Sequence, residues 1–159
     1  MHDLILNKII TKDALSVILN SDFRKKNKLA FTNGCFDILH RGHIYYLSLA
    51  KGKADILIVG LNSDESVSRL KGPDRPIQDQ QTRAEILAAM QFIDYVVIFD
   101  EDTPLNLIDA VKPDLLIKGG DYKIAEIVGY DEVRAYGGLV ETIPILEGYS
   151  STSLIKRMK

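Results

Sequence analysis

Cysteine is almost absent from this chain: Cys35 stands alone among 159 residues. An internal disulfide is therefore excluded, and the composition suits a reducing compartment. Positive charge is not in surplus either. Against 20 Lys and Arg stand 22 Asp and Glu, leaving a formal net charge of −2, so the electrostatic footprint of a DNA- or RNA-binding protein is missing. Any anionic ligand must be held by a local cluster of donors and not by a global field. No apolar run approaches the ~20 residues that span a bilayer. The opening stretch MHDLILNKIITKDAL is interrupted by Asp3, Lys8, Lys12 and Asp13, unlike a signal peptide. Internal repeats, low-complexity tracts and linkers rich in Pro, Gly or Ser are lacking as well. The expectation is one domain over 1–159, with 1–27 as a helical lead-in. Its expected setting is cytoplasmic, without nucleic-acid or membrane partners.

What is present is an ordinary soluble composition, 46% hydrophobic and 26% charged. Five short apolar runs recur: KLAFT at 28–32, DILIVGL at 55–61, YVVIF at 95–99, DLLIK at 114–118 and LVETIPI at 139–145. They are nearly continuous in apolar character, as strands covered on both faces are. Helical patterns separate them, and a helix over 11–23 is expected to lead in. TPLNLIDAVK reads as a helix with Thr103 as N-cap and Pro104 in the first turn. IAEIVGYDEVRAYGG reads as a helix stopped by Gly137 and Gly138. Strands alternating with helices imply an α/β, Rossmann-like, doubly wound five-stranded parallel sheet in a three-layer sandwich. The expected strand order is 3-2-1-4-5. The long polar connection LKGPDRPIQDQ at 70–80 has the length of a functional loop.

In such sheets ligands bind outside the carboxyl ends of the strands, where the strand order reverses. The segments expected there are NGCFDILHRGH after the first strand and GGDY after the fourth. Asn33 and Gly34 would let the backbone turn and free amides for an anion, and Gly42 would let a ligand approach the helix start. His40 and His43, three apart, can each donate to a phosphate there. Asp37 can orient a ring or hold a ligand hydroxyl. Equally, His40 can simply cap a turn and His43 lie on a helix surface. A structural zinc pair would need four such ligands, and the chain adds only His2 and Cys35.

GCFDILHRGH resembles the phosphate-binding segment of the nucleotidyltransferases that carry an H-x-G-H motif. Those enzymes join a nucleoside triphosphate to a phosphorylated small molecule and release pyrophosphate. LKGPDRPI, TRAEILAAMQFIDYVVIFDEDTP, PDLLIKGGDY and IVGYDEVRAYGG narrow the likeness to the ADP-heptose synthase family, from about residue 28 to residue 156. No sugar-kinase domain fits in the remainder, so the standalone form is the better match. The resemblance implies transfer of AMP from ATP to a heptose 1-phosphate, toward lipopolysaccharide core sugars. It implies that His40, His43 and Lys71 are catalytic, with Lys71 reaching over the phosphates from the 70–80 loop. Thr32, Asn33, Gly34, Cys35, Phe36, Gly42, Lys118, Gly119, Gly120, Asp121, Ser151 and Thr152 would bind the nucleotide. Asp37, Arg75 and Arg83 would serve the acceptor. Lys71 and Arg75 can also be read as solvated loop charges, Arg83 as a helix-surface ion-pair partner, and Ser151 and Thr152 as a helix cap.

The nucleophile would be the sugar's own phosphate, whose second pKa of about 6 leaves it ionised at neutral pH, so no general base is needed. Mg²⁺ would ride mainly on the nucleotide phosphates, with few protein ligands. Cytidylyltransferases of the superfamily carry an arginine where this chain has Ile145, in ILEGYSSTS. That departure weakens a CTP-using alternative acting on glycerol 3-phosphate. A non-catalytic nucleotide-binding module is the alternative of another class. A homodimer is the expected assembly, although no stretch identifies an interface.

Overall fold

A computed structural model describes residues 1–144, 146, 148–149 and 151–158, and of 152, 153, 156 and 158 the backbone alone. Among the described residues the strands are β1 (Leu29–Gly34), β2 (Ile56–Asn62), β3 (Tyr95–Phe99), β4 (Leu115–Gly119) and β5 (Leu139–Ile143). They form one parallel sheet in the order β3-β2-β1-β4-β5, as the alternating pattern predicts. Each strand lies within two residues of its apolar run, because burial on both faces demands an uninterrupted apolar stretch. One face carries a core of Ala30, Leu57, Val59, Leu115 and Ile117 against Leu47, Ala50, Leu87 and Ala88. The other packs Leu29, Phe31, Ile58, Val97 and Leu116 against Leu15, Ile108, Val111 and Val133. The adjacent strand residues Ala30 and Phe31 therefore serve opposite layers, the signature of a doubly wound sheet.

The helices are α1 (His2–Leu6), α2 (Lys12–Ile18), α3 (Ser21–Lys26), α4 (Arg41–Lys51), α5 (Asp64–Lys71), α6 (Gln80–Ala88), α7 (Leu105–Val111), α8 (Tyr130–Ala135) and α9 (Ser151–Met158). The helix expected over 11–23 is instead two, α2 and α3. Asn20 breaks it by turning extended and accepting from the amides of Asp22 and Phe23. The lead-in is not an appendage: Ile9 forms a parallel bridge with Val96 at the β3 edge, and Leu15 is buried. Pro104, not Thr103, occupies the N-cap of α7 and makes no side-chain cap bond. The single helix expected before β5 is a 3₁₀ turn over Ile124–Glu126 followed by α8, with Gly129 at φ 91° between them. α5 has no counterpart in the sequence reading, although Ser63 as N-cap and Asp64 and Glu65 in the first turn mark its start. Lys71 therefore ends a helix, and the irregular connection shortens to 72–79.

One feature of the register prepares the site. β1 pairs with β2 along its whole length, from Leu29↔Ile56 to Gly34↔Leu61. With β4 it pairs only at Ala30↔Leu115 and Phe31↔Leu116, although both strands run on to Gly34 and Gly119. Beyond Phe31 the two carboxyl ends diverge, and a crevice opens where the strand order reverses.

Gly129 tests the local packing. A Cβ there would lie 2.7 Å from Cδ1 of Ile108, at a φ that disfavours side chains. Gly129→Ala should lower stability by about 1–3 kcal/mol, read as a fall in the urea midpoint with an unchanged slope.

Candidate active site

The crevice is a cleft of about 500 Å³, lined from β1 and its exit by Asn33, Gly34, Cys35, Phe36 and Asp37 and from α4 by Gly42, His43 and Tyr46, with His40 at its cap. Lys71, Lys118, Gly119, Tyr122, Tyr149 and Ser151 complete the wall. Its volume lies within the range of small-molecule sites. The sharp turn into α4 is made at Phe36, which holds φ 44°, whereas Asn33 and Gly34 remain extended in the ladder with β2. A left-handed non-glycine residue is strained and persists where its surroundings fix it. Here the Phe36 ring is buried and packs over Gly34, where a Cβ would lie 3.0 Å from its edge.

His40 is the N-cap of α4, and its Nδ1 accepts from the amide of Gly42 at 3.1 Å. The cap reading and the donor reading are therefore compatible. With Nδ1 accepting, the neutral ring carries its proton on Nε2, which remains available to donate. Gly42 gives this ring room: a Cβ would stand 3.0 Å from His40 Cε1 and Nδ1, and 3.3 Å from Tyr149 Cβ. His43 stacks on His40 with ring centroids 3.9 Å apart, and its other side meets the edge of Phe36 at 5.3 Å. His43 Nδ1 is buried without a hydrogen-bond partner among the described residues.

Burial lowers the pKa of both rings. For His43, desolvation is reinforced by repulsion from His40 and Lys71 and takes the value to about 3. Both imidazoles are thus neutral donors at physiological pH. Lys71 reaches the cleft from the end of α5, while Lys118 stands on β4 with its ammonium 3.3 Å from Asn33 Oδ1. Among the described residues the only acidic side chain in the lining is Asp37.

Asp37 is 2% exposed, and its oxygens are engaged by the protein. Arg75 Nε donates to Oδ2 at 2.5 Å, and the amides of Ile77 and Gln78 donate to Oδ1 at 2.8 and 3.0 Å. Burial alone would push its pKa up, but the bonds from Gln78, Arg75 and Ile77 prevail and hold the carboxyl below its usual range. Asp37 therefore straps the 72–79 connection to the turn before α4, and the hydroxyl-binding role expected of it gives way to this one. Arg83 also departs from expectation, being neither an acceptor contact nor a surface residue. It is fully buried and donates to the carbonyls of Gln78, Cys35 and Asn62 and to Asp64. Its donors are spent on closing three loop segments together.

Four further expectations fall outside the cleft lining. Thr32 is fully buried, its hydroxyl 2.8 Å from that of Tyr46. Gly120 is buried and its amide donates to Ile143 O at 2.9 Å, and Asp121 is exposed. Arg75 is turned to Asp37, with Nη2 buried and unpartnered among the described residues. Ser151 lines the cleft and donates to Ile38 O at 3.0 Å. The side chain of Thr152, and the positions of Ile145 and Glu147, lie outside the described residues. Tyr122 lines the cleft as part of the GGDY segment expected there, whereas Tyr46 lines it without having been anticipated. Tyr46 could have been found, since it stands three residues after His43 on the same helix face. Its ring lies against Gly119, where a Cβ would come within 3.2 Å.

The family model for cytidylyltransferase-like proteins matches residues 31–157, which spans every side chain of the cleft. This chain belongs to the cytidylyltransferase-like family. Among its curated relatives, the bifunctional protein HldE of Syntrophotalea carbinolica is 52% identical over 96% of this chain and 31% of the relative. The HldE protein of Nitrobacter hamburgensis is 58% identical over 82% of this chain and 27% of its own length. The chain thus spans about a third of the curated relatives it matches. A crystal structure of a lipopolysaccharide core biosynthesis protein from Thermoplasma volcanium superposes with a TM-score of 0.63 at 28% identity, covering 78% of this chain and 99% of that one. Pantoate–beta-alanine ligase of Francisella tularensis shares the fold, with a TM-score of 0.62 at 17% identity over 92% of this chain and 75% of that one.

The electrostatics yield a direct test. Between pH 6.5 and about 3 the unfolded chain binds a proton at residue 43 that the folded site refuses. Stability should therefore fall as the pH drops through that window. In a ring-carbon NMR titration of the free protein, the His43 signal should stay that of a neutral imidazole down to about pH 4. A midpoint near 6.5 would contradict the burial. Arg83→Met should lower stability by about 3 kcal/mol, since buried acceptors lose charged donors, measurable by urea unfolding.

Proposed function

We propose that this chain is an adenylyltransferase that moves AMP from ATP to D-glycero-D-manno-heptose 1-phosphate, giving ADP-heptose and pyrophosphate for lipopolysaccharide core synthesis. The observation that carries the reading is the pair of neutral, stacked imidazoles at the N-terminus of α4, facing a cleft whose unspent charges are positive. Family membership, the HldE relatives and the heptose-family likeness of the surrounding segments support the choice of substrates.

The sugar phosphate attacks the α-phosphorus, and the bond to the bridging oxygen breaks as pyrophosphate leaves. His40, through Nε2–H, and His43 donate to the α-phosphoryl oxygens as charge shifts among them. Such donors act mainly in the transition state and cost little reorganisation because they are held beforehand. Lys71 covers the leaving phosphates. Asn33, Gly34, Cys35, Phe36, Gly42, Gly119 and Ser151 form the nucleotide walls, with Tyr149 bordering them. Asp37 and Arg83 act through the strap, and Arg75 is held within it.

Among the described residues no group of three or more His, Cys, Asp or Glu is placed to hold a metal ion. The cleft's own donors are imidazoles and ammoniums, which suit phosphates and not Mg²⁺. In this reading the nucleotide is taken as its Mg²⁺ complex, the ion carried mainly by the nucleotide phosphates. No described helix is long and apolar enough to cross a membrane, and use of ATP supports a cytoplasmic setting. Pairing into a homodimer is retained as part of this reading.

Purified protein given ATP, Mg²⁺ and heptose 1-phosphate should release pyrophosphate. Turnover with CTP and glycerol 3-phosphate alone would replace this reading, as would tight ATP binding without any turnover. His40→Asn retains a capping side chain, so its loss isolates the Nε2–H donor. That variant and His43→Asn should each lower kcat by about 10²–10³-fold, with the KM for ATP much less affected.

A further inference from the structure

Lys118 is the cleft lysine to which the transfer step assigns no part. It rises from β4 beside the widening gap to β1, and its ammonium is withdrawn from water, which pulls its pKa below the usual lysine range. Its polar partners are weak: Asn33 O at 3.5 Å and Asn33 Oδ1 at 3.3 Å. No carboxylate pairs with it among the described residues. The ring of Tyr122 lies 6.0 Å from Nζ. A desolvated ammonium held only by neutral oxygens is a site prepared for an anion.

Its placement says which anion. In the order β3-β2-β1-β4-β5, the imidazole pair follows β1. Lys71 arrives from α5, which follows β2, and it acts on His43 through its charge. Lys118 stands on β4, on the other side of β1. In the strand order, the two lysines thus come from opposite sides of β1, whose exit carries the imidazoles. An in-line displacement at the α-phosphorus has the same arrangement of charge. The incoming phosphate oxygen forms its bond on one side, while the bond to the bridging oxygen breaks on the other and pyrophosphate departs with the electron pair. No proton moves, because the attacking phosphate is already ionised.

We propose that Lys118, steadied by Asn33 and bordered by Tyr122, seats the attacking phosphate of the acceptor, while Lys71 serves the departing pyrophosphate. The assignment rests on the adenylyl-transfer reading and divides that site into two anion seats. It makes Lys118 a determinant of phosphate-bearing acceptors, in place of the nucleotide contact expected from the sequence.

The test uses Lys118→Met, which keeps the side chain's length and removes its charge, with Lys118→Gln in its place if the first does not fold. In pyrophosphate-release assays the KM for heptose 1-phosphate should rise at least tenfold, with the KM for ATP within about twofold of the parent. The gain in thermal midpoint on adding ATP should persist. A rise in the KM for ATP matching that for the acceptor would overturn the assignment, as would loss of the ATP-induced gain or two unchanged KM values. If the parent protein releases no pyrophosphate with heptose 1-phosphate, the adenylyl-transfer reading fails, and the seat is judged separately. Inorganic phosphate is then titrated by ³¹P NMR against protein saturated with a non-hydrolysable ATP analogue. Binding that Lys118→Met abolishes supports the seat, whereas binding it leaves intact, or no binding to the parent, removes it.

Discussion

When the Gly42 amide donates to Nδ1 of His40, three properties of the site are set together. The helix start gains its cap, the ring is fixed in orientation, and the proton of the neutral imidazole is left on Nε2. His43, one turn into α4, can then stack on a ring that does not swing, with 3.9 Å between centroids. Without that bond the pair would be two rotamers of independent surface side chains. With it they form a single rigid donor surface, and rigidity is what allows a hydrogen bond to favour a transition state over a ground state. The preference for glycine at 42 follows from the same contact, since a Cβ would press to 3.0 Å from the capping ring.

The second constraint is the parting of β1 from β4. A parallel sheet buries its strands on both faces and offers no room for a ligand except where neighbouring strands send their connections to opposite sides. Here pairing stops at Phe31↔Leu116, and the cleft occupies the space beyond. Charge in that space is sorted rather than summed. The chain carries a net charge of −2, yet among the described residues the one carboxylate of the lining is consumed by Arg75 and two amides. What remains open to a ligand is cationic or a neutral donor. Arg83 supports the arrangement from beneath, tying together the carbonyls of Cys35, Asn62 and Gln78. A guanidinium suits that position because it presents several donors in a fixed plane and stays charged when buried.

Much of this was legible along the chain. Five apolar runs and the helical patterns between them specify a parallel sheet, and crossover handedness with the switch-point rule leads to its order and to the end where ligands bind. His40, His43, Lys71 and Lys118 were recognisable as cleft residues from local motif and likeness. The misreadings share a cause. A helix predicted over 11–23 splits because one asparagine satisfies two amides more cheaply than another turn would, a competition that periodicity does not register. Arg83 looked like a surface cation because its partners are carbonyls contributed from positions 35, 62 and 78. Asp37 looked like a ligand contact because nothing in its own neighbourhood announced that a connection 40 residues later would fold back onto it.

The sequence by itself determined the layers and the kinds of donor available at one end of the sheet, because these follow from local periodicity and short-range turn chemistry, and the general rules for crossovers led from them to the strand order. The tertiary structure decided which of those donors remain free. Hydrogen-bonding capacity is finite, and whether a buried carboxylate or guanidinium faces a ligand or a distant backbone segment depends on which loops meet, a matter of long-range closure that no local pattern encodes.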